Sequence, residues 1–439
     1  MTKGDGAPTA PLPLYPPGRT AWWTVAVLFA AYLISFVDRV LIGLLVEPIQ
    51  ADLDLSDTEF ALLQGVAFAL LYTLLGLPFG WLADRFSRPM LVAAGSAIWC
   101  ASTVACGFSH SFGQLLAARL GVGAGEAALP PSAISLISDS FPPEERPLAM
   151  SVYTAASSMG AGASLIVGGL VVALVASTPS FAMPFVGDIA SWKAVFIIVG
   201  AGGFIVTAAA LTMTEPRRGS GASLKPQGGP SLYAHLRLHR RSLGPLLMAM
   251  TLYAVLAYGL LGWIPAFFMR SYGMSPGEVG LQYGLVLLLF GGAGGLFGAW
   301  LAGRIPARWG TPSLVTCAGA AALVAPLMAL GFASSTASAA LAWLAAGLFA
   351  YTVPSGLGIA AFQAAIPPHQ RGMAAALYYL LIGLIGMTFG PLGVALMSDL
   401  LFGADGLRWS LAALVALCAP GAAILFYISA RQDMPVSGN

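Results

Sequence analysis

Twelve stretches of about twenty or more mostly apolar residues, each bounded by polar, proline or glycine residues, run through this chain: 22–46, 57–83, 89–108, 112–137, 148–176, 193–212, 244–269, 276–302, 312–332, 337–364, 372–398 and 406–430. A helix needs about 20 residues to cross a hydrocarbon core. In lipid, backbone polar groups are satisfied only inside helices or closed barrels. The stretches therefore predict twelve membrane-spanning helices. Composition agrees: 58% of the 439 residues are hydrophobic and 9% are charged, against about 25% charged in a soluble domain. A water-soluble enzyme is excluded.

The net charge of +2 gives no reason to expect a nucleic-acid partner. Cys100, Cys106, Cys317 and Cys418 all lie in apolar stretches, with neither a disulfide framework nor metal-ligand spacing. His110, His235, His239 and His369 fall at span ends or in loops, so none reads as a metal ligand or a catalytic base. No metal or organic cofactor is expected.

Basic residues orient the spans. With the amino terminus inside, fifteen of the twenty Lys and Arg fall in inner loops and tails, and only Lys193, Arg270 and Arg408 fall in outer loops. That asymmetry places both termini in the cytoplasm. The expected organisation is a disordered cytoplasmic tail at 1–20, a six-helix bundle at 21–213, a cytoplasmic linker at 214–243, a second six-helix bundle at 244–430 and a short tail at 431–439. Within the linker, 231–241 reads either as a basic helix on the anionic inner leaflet or as a solvated connector.

The two halves repeat one another. A shift of 219 residues aligns Ser56, Glu59, Gly65, Gly76 and Leu77 with Ser275, Glu278, Gly284, Gly295 and Leu296, and WLADR (Trp81 to Arg85) with WLAGR (Trp300 to Arg304). A shift of 225 aligns PPEERPLAM from Pro142 with PPHQRGMAA from Pro367. Ser56 with Glu59 and Ser275 with Glu278 predict capping boxes at the starts of equivalent helices. Parallel six-helix halves about an axis normal to the membrane predict a transporter with its site between them near mid-membrane.

The run Gly80, Trp81, Leu82, Ala83, Asp84, Arg85, Phe86, Ser87, Arg88 resembles the signature loop of the major facilitator superfamily, and Arg119, Gly123 and Gly125 resemble its RxxxGxG pattern. The fold implied is all-α, with twelve transmembrane helices in two pseudo-symmetric six-helix bundles. Two departures stand out: Gly303 replaces the counterpart of Asp84, and the fifth span lacks the GP of the antiporter motif. Within the superfamily, YLISFVDR (Tyr32 to Arg39) with the run from Arg119 to Arg146 resembles the spinster-like transporters of sphingosine phosphate or lysophospholipids. That resemblance implies an amphipathic lipid substrate. Organic-anion symporters of the superfamily carry a similar run, so a small organic anion or drug is the alternative.

Only Asp38, Arg39, Arg119 and Glu126 lie deep within the spans. A charge at that depth costs about 2.5–3.5 kcal/mol on insertion scales and marks a functional site. Asp38 lies about 24 Å along the first helix, and Arg119 about 10 Å from the outer start of the fourth, so the two share a depth in the outer half. Glu126, seven residues beyond Arg119, is on nearly the same face. A guanidinium beside a carboxylate favours its ionised form, so a change of partner would load or release a proton. Asp38 and Glu126 are therefore the expected proton site, with Arg119 as the movable counter-charge and the proton as coupling ion. The competing reading is a static ion network. Arg39, about 100° around its helix from Asp38, is expected to meet an anionic substrate head, since a guanidinium suits phosphate or carboxylate; the alternative is pairing with a neighbouring carboxylate.

The second half offers Tyr253, Tyr258, Trp263, Tyr351, Gln363, Tyr378 and Tyr379 as the expected substrate lining. Asp84, Arg85 and Arg88 are expected at a cytoplasmic gate, with Asp84 drawn to the positive end of the eleventh helix. The reading is a monomeric, proton-coupled secondary transporter of amphipathic lipids in a bacterial inner membrane, surrounded by membrane lipid, and not an enzyme. An intramembrane lipid enzyme would need a nucleophile and base that the spans do not supply. A receptor that binds without moving its ligand is the remaining competitor.

Overall fold

The computed structural model describes residues 15–176, 180–183, 187–217, 232–367, 370–403 and 406–432. Most of both expected tails, the middle of the linker and His369 lie outside them.

Among the described residues, twelve helices are long and apolar enough to cross a membrane. The first bundle comprises α1 (Gly18–Leu44), α2 (Asp57–Ala83), α3 (Arg88–Gly107), α4 (Phe112–Ser140), α5 (Arg146–Val175) and α6 (Ser191–Leu211). The second comprises α7 (Arg240–Tyr272), α8 (Pro276–Ala302), α9 (Pro312–Ala333), α10 (Ala337–Ala364), α11 (Arg371–Phe402) and α12 (Gly406–Ala430). With an even number of spans, α1 starts and α12 ends on one side, here called the terminal face.

The duplication is visible in the packing. In the first bundle α1 packs on α5, α2 on α4, and α3 on α4 and α6; in the second α7 packs on α11, α8 on α10, and α9 on α10 and α12. Both capping boxes form as reciprocal pairs. The Ser56 backbone N–H donates to Glu59 at 3.0 Å, and that of Ser275 to Glu278 at 2.8 Å. Each seryl oxygen in turn accepts from the backbone N–H three residues on. Orphan donors at the starts of α2 and α8 are thereby satisfied.

Three helices are locally irregular. Helix α4 is interrupted at Ala127 and Ala128, just before Pro130 and Pro131, whose missing N–H groups fit only a first helical turn. Helix α2 contains a π-turn at Leu62–Val66, and α11 contains two, at Ile382–Gly386 and Ser398–Phe402. One small departure from the all-α expectation is an antiparallel hairpin, β1 (Ser180–Met183) with β2 (Gly187–Ala190), in the loop joining α5 to α6.

The bundles meet along two seams, α5 against α8 and α2 against α11, related by the repeat. Contacts gather at mid-depth and toward the face opposite the termini. Backbone approaches backbone where Gly169 meets Gly280, whose added Cβ would stand 2.5 Å from the Leu165 carbonyl. Beyond the seams, polar contacts close the opposite face. Arg270 of α7 reaches Asp57 of α2 at 2.8 Å and Glu47 at 2.6 Å, and Asp399 of α11 accepts from the Thr58 hydroxyl at 2.6 Å. The bundles are therefore latched on the opposite face.

Candidate functional site between the bundles

The four intramembrane charges converge near the middle of the first bundle. Asp38, Arg119 and Glu126 are buried, and Arg39 is nearly so. The Glu126 Oε2 accepts from Arg39 Nη2 at 2.5 Å and from Arg39 Nε at 2.8 Å. Three rings surround the same guanidinium, Phe36 at 5.1 Å, Phe68 at 4.7 Å and Tyr72 at 4.8 Å. Charge pairing and the ring quadrupoles together compensate its burial.

This pairing differs from the one expected. Arg119, expected as counter-charge to the carboxylates, stands close enough for its charge to act on both Asp38 and Glu126, but its hydrogen bonds go to backbone, with Nη1 donating to the Asp38 carbonyl at 3.4 Å and Nε to the Leu63 carbonyl at 3.5 Å. Asp38 Oδ2 accepts from the Thr103 hydroxyl at 2.8 Å. Arg39, expected at a substrate head, is held by Glu126 instead. The physical reason is that α4 breaks immediately after Glu126, at the level where Arg39 arrives from α1. Among the described residues, Asp38 Oδ1, Arg119 Nη2 and Glu126 Oε1 are buried without a hydrogen-bond partner. A proton or a polar group of a ligand relieves atoms of this kind, since a buried unpaired polar atom costs about 1–3 kcal/mol.

Beside this cluster lies a cavity of about 340 Å³, set mainly in the second bundle. Its walls include Tyr253, Tyr258, Tyr351 and Tyr378, four of the expected lining residues, together with Leu344, Leu348, Met328 and Tyr283. Tyr253 and Tyr351 stack at 4.9 Å. On α7 the wall runs from Met250 to Ile264, about 21 Å at the helical rise. A recess of about 40 Å³ bounded by Arg39 and Gln64 shares Phe36 and Tyr258 with the chamber. The charged cluster thus adjoins the polar end of a tall apolar slot.

Three expected lining residues stand elsewhere. Trp263 is buried at the seam, its indole N–H donating to the Pro391 carbonyl at 3.0 Å and its ring against Phe60. Gln363 is in the last turn of α10, where its carbonyl accepts from Arg371 at 3.1 Å. Tyr379 is exposed and is not part of the chamber wall, with its ring against that of Tyr378. Neighbouring positions on a helix differ by about 100°, and of the two only Tyr378 lines the chamber.

The expected gate residues also separate. Asp84 is exposed, and among the described residues its carboxylate makes no hydrogen bond or ion pair, so the expected contact with the start of α11 is not formed. Arg85 lies over the Trp81 ring at 4.1 Å. Arg88 is buried in a clasp within the first bundle, pairing with Asp139 at 2.5 Å and Glu215 at 2.7 Å. It ties the end of α4 and the start of the linker to α3, and does not bridge the bundles.

Sequence reading missed Thr103, Gln64, Phe36, Phe68, Tyr72 and the stacked pair Tyr32 and Tyr153. A signal existed for two of them: Tyr32 and Phe36 precede Arg39 by seven and three residues, which places them on its face of α1.

Two repeated six-helix bundles, latched on one face around a chamber with buried charges at its side, define a twelve-helix membrane transporter. The chain belongs to the Major Facilitator Superfamily, which residues 28–391 match. It is 30% identical to an MFS-type efflux pump of Mycolicibacterium smegmatis, over 94% of both chains. It is 28% identical to Protein spinster of Drosophila melanogaster over 71% of this chain, a match spanning 50% of that protein, and 28% identical to human Protein spinster homolog 1 over 87% of this chain and 74% of that one. The fold superposes with a TM-score of 0.83 on a bacterial homologue of the human lysosomal transporter Spinster, in an inward-facing and occupied conformation, at 25% identity over 95% of this chain and 98% of that one. The chain is a spinster-like member of the superfamily.

Proposed function

We propose that this protein is a proton-coupled secondary transporter that moves single-tailed amphipathic lipids by alternating access. The observation that carries the reading is the shape of the chamber. It is an apolar slot walled by Leu344, Leu348 and Met328 that runs along α7 from Met250 to Ile264, about 21 Å at the helical rise, a shape that suits a hydrocarbon chain laid along its length. The slot ends beside Arg39, whose guanidinium suits a phosphate or carboxylate head once it leaves Glu126.

Exchange at Glu126 then supplies coupling. With Arg39 in place Glu126 is paired; when an anionic head draws Arg39 away, Glu126 is left buried and takes a proton. Asp38, with Oδ1 free of donors among the described residues, is the second carboxylate able to carry one. Coupling follows where the loaded and empty forms favour different arrangements of the bundles. The excess of basic residues at the terminal face supports a reading in which that face is the cytoplasmic one of a bacterial inner membrane, and on that reading the arrangement here is inward-facing. One chain supplies a complete pathway and acts alone.

The test is uptake or release of a labelled lysophospholipid, alongside a small organic anion, in proteoliposomes with and without a pH gradient. Wild type is compared with Asp38→Asn and Glu126→Gln. Lipid flux that follows the gradient in wild type and loses that dependence in both variants is expected. The likeness to the mycobacterial efflux pump supports a second reading, export of a small amphipathic drug or anion; movement of the small anion alone would establish it and overturn the lipid assignment. Lipid flux with unchanged pH dependence in both variants would make the carboxylates structural.

A further inference from the structure

The internal repeat preserves more than the seams. On α2, Leu70, Leu77 and Trp81 form one exposed stripe, and at the positions 219 residues later on α8, Leu289, Leu296 and Trp300 form the same stripe. Their spacings of seven and eleven residues keep each set on one helix face. Trp81 is 54% exposed and Trp300 52%, so the two indoles are presented alike. Both stripes end on the terminal face in an arginine four residues on. The Arg85 guanidinium lies 4.1 Å from the Trp81 ring centroid and that of Arg304 lies 3.8 Å from the Trp300 centroid.

Each arginine donates one hydrogen bond to the carbonyl of its own tryptophan, Arg85 at 3.3 Å and Arg304 at 3.2 Å. A guanidinium has five N–H donors, and among the described residues neither arginine makes an ion pair. Most of the donors therefore face outward, flat against an indole, at the boundary of an apolar stripe. Tryptophan seeks the headgroup level of a bilayer, and stacked arginine is suited to phosphate. Position in the fold adds meaning: α2 flanks the seam with α11 and α8 the seam with α5, so one such pair stands at each seam on the face where the bundles are not latched.

We propose that Trp81 with Arg85 and Trp300 with Arg304 form two symmetry-related sites for the phosphate of an anionic membrane phospholipid, with the acyl chains lying along the leucine stripes. The lipid here is a bilayer component held at the seam mouths, distinct from whatever crosses the chamber. A simpler role, capping of the last carbonyls of α2 and α8, explains the hydrogen bonds but not the matched stripes and ring stacks.

Native mass spectrometry of the purified protein titrated with phosphatidylglycerol, and in parallel with phosphatidylcholine, tests this. Wild type is expected to retain two more phosphatidylglycerol molecules than Arg85→Gln/Arg304→Gln, with one lost in each single variant and no difference for phosphatidylcholine. Arg85→Lys/Arg304→Lys, which keeps the charge and the fold but not the planar stack, is expected to weaken retention at least threefold. Equal phosphatidylglycerol counts in all variants, or full retention by the lysine variant, would overturn the proposal. Displacement of the lipid by inorganic phosphate alone would overturn the lipid source in favour of a free-anion site.

Discussion

Arg270 of the second bundle places Nη1 and Nη2 against the two carboxylate oxygens of Asp57 in the first, at 2.9 and 2.8 Å. This bidentate pair is the centre of the latch on the face opposite the termini, for Asp57 also accepts from Gln50 at 2.9 Å and from Ser398 of α11 at 2.9 Å. One carboxylate of the first bundle thus holds two helices of the second.

Removing either partner of a largely desolvated pair leaves the other uncompensated, at a cost of several kcal/mol when fully buried. Arg270 is about a quarter exposed, so a smaller penalty applies here. Asp57→Asn and Arg270→Gln are each expected to raise the population open on this face about tenfold, equivalent to about 1.4 kcal/mol. A cysteine at Gln64, below the latch, should then react about tenfold faster with an impermeant thiol reagent added from that side. The double variant should exceed neither single by much. Unchanged labelling would show that seam packing alone closes this face.

How far the sequence anticipates this arrangement depends on range. The capping boxes at Ser56 and Ser275 follow from three-residue spacing, and the twelve spans from apolar length, because both are local properties. Burial of Asp38, Arg119 and Glu126 also follows, since a polar residue in a span must turn inward. Which residues pair does not follow. Helical spacing places Arg39 away from Asp38 but is silent on the neighbour it meets, and the break after Glu126 decides that. Trp263 and Gln363 fail as lining for the same reason: an aromatic or amide in a span marks a preference for partners, and only the packed bundle says whether the partner is a ligand or the Pro391 carbonyl.

The three rings about Arg39 yield a second expectation. Lysine can replace the charge at this position but not the flat face that Phe36, Phe68 and Tyr72 enclose. Arg39→Lys should lower the thermal unfolding midpoint in detergent by several degrees, and Arg39→Ala by more. In a cycle with Glu126→Ala the effects should be non-additive by about 0.5–3 kcal/mol, as for residues in direct contact. Additive effects would mean that the pair is not formed in the folded protein.

At the seam of α5 with α8, a methyl group at Gly280 would press on the Leu165 carbonyl and on Gly169. Membrane helices approach this closely only over small residues. Gly280→Leu should therefore part the two helices and disfavour the arrangement latched on the opposite face. Spin labels on the loops joining α1 to α2 and α7 to α8 are expected to report a longer distance across the latched face than in wild type. The same substitution at Gly292, where nothing lies within 4 Å, should leave that distance unchanged.

The chamber itself can be tested by filling it. Leu348 lines the slot together with Tyr253 and Tyr258, and it is not one of the residues that bound the recess at Arg39. An indole there should block the space a hydrocarbon chain needs while leaving the polar recess at Arg39 intact. Leu348→Trp is therefore expected to abolish transport of a long-chain lysophospholipid and to spare one with a very short chain, a contrast that loss of folding could not produce. Gradual loss at every chain length would mean that the tail does not enter this slot, and its apolar lining would then have no bearing on substrate choice.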